Sequence, residues 1–142
     1  MKTIFILLAL FFTACGQDEA YLKSDPELDY YLRWYLRVAP TDGALKELAT
    51  LEFGTPPEGK VGYCEVMPIK TGYRTWSRTR AITVKKLNRD GFLAAVVMHE
   101  LAHCLHDFEH EEAKGHLMSD PMDDDAAWWD ANIQTELERL WQ

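Results

Sequence analysis

All five histidines of this 142-residue chain fall between His99 and His116. Inside that window His99-Glu100-Leu101-Ala102-His103 reads H-E-x-x-H. Chance occurrence in a chain of this length is roughly a few in a thousand, so the pattern is informative by itself. The surrounding residues, Phe92, Leu93, Val96, Val97, Leu101 and Leu105, predict one helix, with Asn88 as its cap. On a helix, residues i and i+4 share a face, so both imidazoles reach one tetrahedral ion. Glu100 then stands beside the ion, where a base takes a proton from an activated water.

A catalytic zinc takes three protein ligands and leaves a position open. His106 continues the same helical face but lies roughly 10.5 Å further along a continuous helix than His99. Nitrogens around one zinc are only about 3–3.5 Å apart. His110 comes after the expected helix end, where a turn brings it back, and is favoured over His106, Glu109 and His116. The expected set is therefore His99, His103 and His110 on one zinc per chain, with Glu100 as general base.

The stretch from His99 to His110, followed by Leu117-Met118-Ser119-Asp120-Pro121-Met122, resembles the metzincin metallopeptidases, closest to small matrixin-like bacterial members. The resemblance covers roughly residues 61–140 and is specific around 99–118. It implies a third histidine ligand after a helix-breaking turn, with Met118 as the methionine turn beneath the metal. Two departures stand out: His106 occupies the place of the family's glycine, and His110 comes one residue later than the family's third histidine. Bacterial sequences of the type H-E-L-G-H-C with a late histidine are more closely similar. The resemblance also implies a zincin-like fold, a short mixed sheet packed on the active-site helix with a C-terminal helix. Arg80 to Lys86 would be the edge strand, which binds an extended peptide or protein substrate by strand addition. The competing reading is a non-catalytic, zinc-stabilised envelope binding module, which leaves the glutamate without a task.

The elements that must position these groups read as an α+β domain. Ser24-Asp25-Pro26-Glu27 predicts a helix start with a capping serine, running to about Val38 before Pro40. A short helix is expected over Gly43–Ala49. Strands follow at Thr50–Phe53, Val61–Met67 and Arg80–Lys86. Asp123-Asp124-Asp125 opens the last helix, which runs through Trp128, Ile133 and Leu137 to Leu140. The pair Trp128-Trp129 is expected on the core. Lys70, Arg74, Arg78, Arg80, Lys85, Lys86 and Arg89 form a basic stretch, read as the solvated face of two strands.

The chain opens Met1-Lys2, continues with an apolar run from Ile4 to Phe12, and reaches Thr13-Ala14-Cys15. That run is too short to span a bilayer as a helix. Phe12-Thr13-Ala14-Cys15 resembles the lipobox of bacterial lipoproteins, in which the cysteine is lipidated and leads the mature chain. The expected organisation is a signal peptide (1–14), a lipidated tether (15–24) and a metallopeptidase domain (25–142). The protein is expected to be exported and held at the membrane of the cell envelope through acyl chains on Cys15. Removal of 1–14 leaves 128 residues, enough for one domain, and moves the formal charge from −8 to −9. An acidic chain of this kind argues against nucleic-acid binding. Of three cysteines, Cys64 and Cys104 remain, a possible disulfide in an oxidising compartment.

Overall fold

A computed structural model describes residues 22–40, 43–70, 72–73, 76–110, 116–119, 122 and 124–142. The proposed signal segment and Cys15 lie outside them. The elements run β1 (Lys23–Ser24), α1 (Pro26–Val38), a 3₁₀ turn (Gly43–Glu47), β2 (Leu48–Phe53), β3 (Gly62–Lys70), β4 (Trp76–Val84), α2 (Asp90–His106), a second 3₁₀ turn (His116–Met118) and α3 (Ala126–Arg139). The result is α+β: a small mixed four-stranded sheet and three helices. No helix among the described residues is long and apolar enough to cross a membrane.

The sheet order is β1-β2-β4-β3, with β1–β2 and β2–β4 parallel and β3–β4 antiparallel. This corrects the expected edge strand. Arg80–Val84 belongs to β4, which is paired on both sides, and β3 is the edge. The physical reason is that β3 and β4 are joined as a hairpin while β4 also takes β2 in parallel, so the earlier strand of the hairpin is left outside. At the other margin Lys23 and Ser24 pair with Thr50 and Leu51, so the last two residues of the expected tether belong to the sheet.

Helix α2 is the central element, packed against the sheet and against α1 and α3. Every residue from Gly91 to Ala102 is buried, which suits a helix apolar on all faces. Around it Leu28, Leu32, Tyr35, Leu51, Ile82, Leu117, Trp129 and Leu137 complete one core. Each fully buried Leu, Ile or Val side chain stabilises the fold by about 1.5–3 kcal/mol. Trp129 is fully buried and Trp128 packs edge-on against it.

Two caps differ from the expected ones. Ser24 lies in β1, and the N-cap of α1 is Asp25, whose carboxylate accepts from the Phe53 amide at 2.7 Å and so ties the helix start to the end of β2. Arg89, not Asn88, is the N-cap of α2. At α3 the N-cap is Asp125, whose side chain accepts from the Trp128 amide at 3.1 Å, inside the expected acidic run.

Candidate metal centre

The last two turns of α2 present His99 and His103 one helical turn apart. The chain must then reverse sharply for His110 to return. Asp107 makes that reversal in the left-handed region, φ 53°, and its amide folds back on the carbonyls of Ala102 and His103. Asp tolerates this conformation better than most side chains. It therefore ends the helix where a glycine ordinarily would, one position after His106. The delayed helix end matches the delayed third histidine.

The Nε2 atoms of His99, His103 and His110 meet at one point. They are 2.9 Å (His99–His103), 3.0 Å (His103–His110) and 3.1 Å (His99–His110) apart. The other ring nitrogens explain why this is a metal-competent set. Nδ1 of His99 donates to the Leu117 carbonyl at 2.6 Å, and Nδ1 of His103 donates to the Phe108 carbonyl. A carbonyl only accepts, so both protons sit on Nδ1, and in the neutral rings Nε2 carries a lone pair. Lone pairs facing each other at 2.9 Å repel unless a cation lies between them. The residues present thus fit a metal ion, and an all-imidazole set suits zinc, copper, iron or nickel. Such carbonyl partners fix ring orientation and raise ligand basicity.

The three sites differ in exposure: His99 is buried, His103 half-buried and His110 exposed. His106 is elsewhere. Its ring lies 4.5 Å from Trp141, 5.8 Å from Tyr35 and 5.9 Å from Phe108, in an aromatic cluster behind the centre. Phe108 also packs on Trp141 at 5.3 Å, so the C-terminal tryptophan steadies the residue whose carbonyl holds His103. Glu109 is exposed and is not part of the histidine group. The side chain of His116 lies outside the described residues. Met118 is fully buried in the turn that supplies the Leu117 carbonyl, against α2 and α3.

Glu100 is 7% exposed and lines a cavity of about 540 Å³ together with the three histidines, Lys60, Gly62, Tyr63, Val66, Phe92, Val96 and Met122. Burial pushes its carboxyl up to about 7, while the Lys60 charge and a hydrogen bond from the Cys64 amide pull it back. Gly62 makes room for it. A Cβ at that position would stand 2.6 Å from Glu100 Oε1 and 2.9 Å from Val96 Cγ1.

Strand β3 is held over the site covalently, by a disulfide between Cys64 and Cys104 with Cα atoms 5.5 Å apart. Cys104 follows His103, and the Cys64 amide donates to Glu100, so the bond joins the edge strand to the helix carrying the histidines. The Lys85 amide donates to the Val61 carbonyl, which makes 61/85, 63/83 and 65/81 the hydrogen-bonded pairs of the hairpin. Cys64, Val66 and Pro68 therefore turn their backbone groups away from β4.

One member of the basic stretch is not solvated. Arg80 is 3% exposed and donates to Glu47 at 2.7 Å, to Asp107 at 2.9 Å and to the Cys104 carbonyl. Its place on β4, facing α2, forces burial, and three acceptors compensate. It thereby braces the helix end from beneath. Lys86 and Arg89 pair with Glu27 and Asp124 at the surface. Arg74 lies outside the described residues.

Sequence reading found the three histidines and Glu100. It missed Gly62, Lys60, Asp107 and the two residues whose carbonyls hold the histidine rings, Phe108 and Leu117. Asp107 had a signal: an Asp just past the last apolar-periodic residue, where αL-tolerant residues end helices. Gly62 had none, because its neighbour Glu100 is 38 residues away.

Compared with protein-family models, curated proteins and solved structures, the chain matches none. The class defined by fold and site is a small α+β domain with a three-histidine, metal-competent centre beside a buried glutamate.

Proposed function

We propose that the chain is a metzincin-like zinc metalloendopeptidase, exported and anchored to the cell envelope by lipid on Cys15. The observation that carries this reading is the convergence of three Nε2 atoms within 2.9–3.1 Å at the mouth of a cavity that also contains Glu100. Those spacings suit ligands of one tetrahedral zinc, whose nitrogens stand about 3.3 Å apart. Bound there, zinc supplies Lewis acidity to a water and to the scissile carbonyl. Glu100 accepts the water's proton on its carboxylate and returns it to the leaving amine, a task that its buried, partly desolvated setting favours.

The edge of β3 supports a peptide substrate. Beyond Cys64 the outward backbone groups of Val66 offer an amide and a carbonyl to an added strand, and Pro68 offers only a carbonyl. In this reading His110 is the third ligand, Met118 belongs to the methionine turn, and the disulfide holds the substrate strand against the catalytic helix.

The test is zinc stoichiometry and peptide hydrolysis on parent, His110→Ala and Glu100→Ala proteins. The expected result is one zinc per chain, a clear loss of zinc affinity in His110→Ala, and a roughly 10²–10⁴-fold loss of hydrolysis in Glu100→Ala with zinc retained. A folded parent that binds no zinc overturns the reading. Zinc bound without hydrolysis supports the binding module instead.

A further inference from the structure

The cavity contains one charge that neither the metal set nor the base explains. Lys60 lies on its rim, at the end of the loop that leads into β3. The loop is built to deliver it there: Gly59 takes φ 81°, open to glycine, and the Lys60 amide closes a turn on the Pro57 carbonyl at 3.0 Å. The ammonium sits 5.1 Å from the centre of the Tyr63 ring, an arrangement that restrains a flexible side chain.

Two further observations give this cation a direction. Among the described residues Lys60 makes no ion pair, and it is the only lysine or arginine lining the cavity. Glu100 is the only carboxylate among the described residues there, and Val61, Val66, Phe92, Val96 and Met122 make much of the remaining wall apolar. The chain as a whole carries −8, so its field repels anions everywhere except where a local cation reverses it. Lys60 lines the same cavity as Glu100 and the three histidines, which places its charge beside the candidate centre.

We propose that Lys60 makes the cavity selective for a carboxylate carried by the bound peptide, either an acidic side chain or the C-terminal carboxylate. Resting on the peptidase reading, this sets the carboxylate close to the bond cut, since Lys60 lines the same cavity as the three histidines and stands two residues before the edge strand.

The experiment uses the full chain, zinc-loaded, carrying Glu100→Gln so that bound peptides are not consumed. Isothermal titration calorimetry at low salt measures capped alanine-leucine peptides with a single Glu or Gln at each position, and the neutral peptide with a free or amidated C-terminus. A carboxylate is expected to bind about fivefold more tightly than its neutral partner, the upper range for a part-exposed pair. The preference is expected to vanish in Lys60→Met and to pass to lysine-bearing peptides in Lys60→Glu. Preference in the Glu arm assigns an acidic side chain; preference only for the free acid assigns the C-terminus. Equal affinities, no binding, or a preference that survives Lys60→Met overturns the proposal. Carboxylate preference in a protein whose Glu100 parent cuts none of these peptides would leave the Lys60 assignment standing and count against the peptidase reading alone.

Discussion

Replacing Gly62 by alanine tests whether the edge strand and the base are fitted to each other. The added Cβ would stand 2.6 Å from Glu100 Oε1, 2.7 Å from Glu100 Cγ and 2.9 Å from Val96 Cγ1, where 3.4 Å is ordinary contact. The carboxylate must therefore retreat about 0.8 Å, or β3 must lift, and the disulfide two residues on resists the lift. Overpacking of this size costs about 1–3 kcal/mol. Gly62 does not have a positive φ, so alanine fits the backbone and recovers about 0.4–1 kcal/mol from the unfolded chain. The mid-range net loss is about 1.3 kcal/mol, read as a shift in guanidinium midpoint at unchanged slope. Two of the three close atoms belong to Glu100, so in a Glu100→Ala background the penalty should fall by about half or more, a coupling of the size neighbouring residues show. Zinc affinity should hold, because no histidine moves. Hydrolysis should fall up to about 100-fold, as expected for a catalytic group displaced by nearly 1 Å. Parent-like stability, or a penalty that is the same with and without the Glu100 side chain, would refute the close fit.

Asp107 is expected to tolerate asparagine with a loss of about 0.5 kcal/mol, whereas alanine should lose about 1–2 kcal/mol more, since φ 53° is costly for it. Hydrogen bonding from the Arg80 guanidinium holds the Asp107 carboxyl below its ordinary 3.8, so its contribution is complete above that pH and is lost as pH falls through the lower folded value. At 64% exposure, screening limits this to about a few tenths of a kcal/mol. Stability of parent and Asp107→Asn should therefore converge in strong acid, and a difference that persists there would contradict the ion-pair account. Cutting the Cys64–Cys104 bond, by reductant or by paired serines, opens a loop of 40-residue separation and should cost the metal-free protein about 4 kcal/mol on the chain-entropy estimate. An unchanged denaturation midpoint under reductant would show that the edge strand is held without it.

The chemistry-bearing residues were legible because their spacing is local. His99, Glu100 and His103 lie within about one and a half helical turns, where the 3.6-residue period alone decides which side chains share a face. Helices α1 and α3 were legible through apolar periodicity and starts led by proline or acids, and α2 through its long apolar run around H-E-x-x-H, with the cap misplaced by one residue. Asp107 lay on the border: its helix-ending role is local, but His106 just before it continues the helical face of His99 and His103 and masks it.

What only the tertiary structure decided involves partners far apart in the chain. Edge and centre of the sheet follow from which strand β2 pairs with, and alternation within Arg80–Lys86 reads the same on either. Arg80 looked like one more surface cation, yet its position beneath the helix end buries it among Glu47, Asp107 and the Cys104 carbonyl. The room that Gly62 leaves for Glu100, the Leu117 carbonyl behind His99, and the Lys60 cation on the cavity rim arise only when β3 and the second 3₁₀ turn close over α2. Periodicity states which face of an element is buried; it carries no information about which atom of a distant segment comes to lie against it.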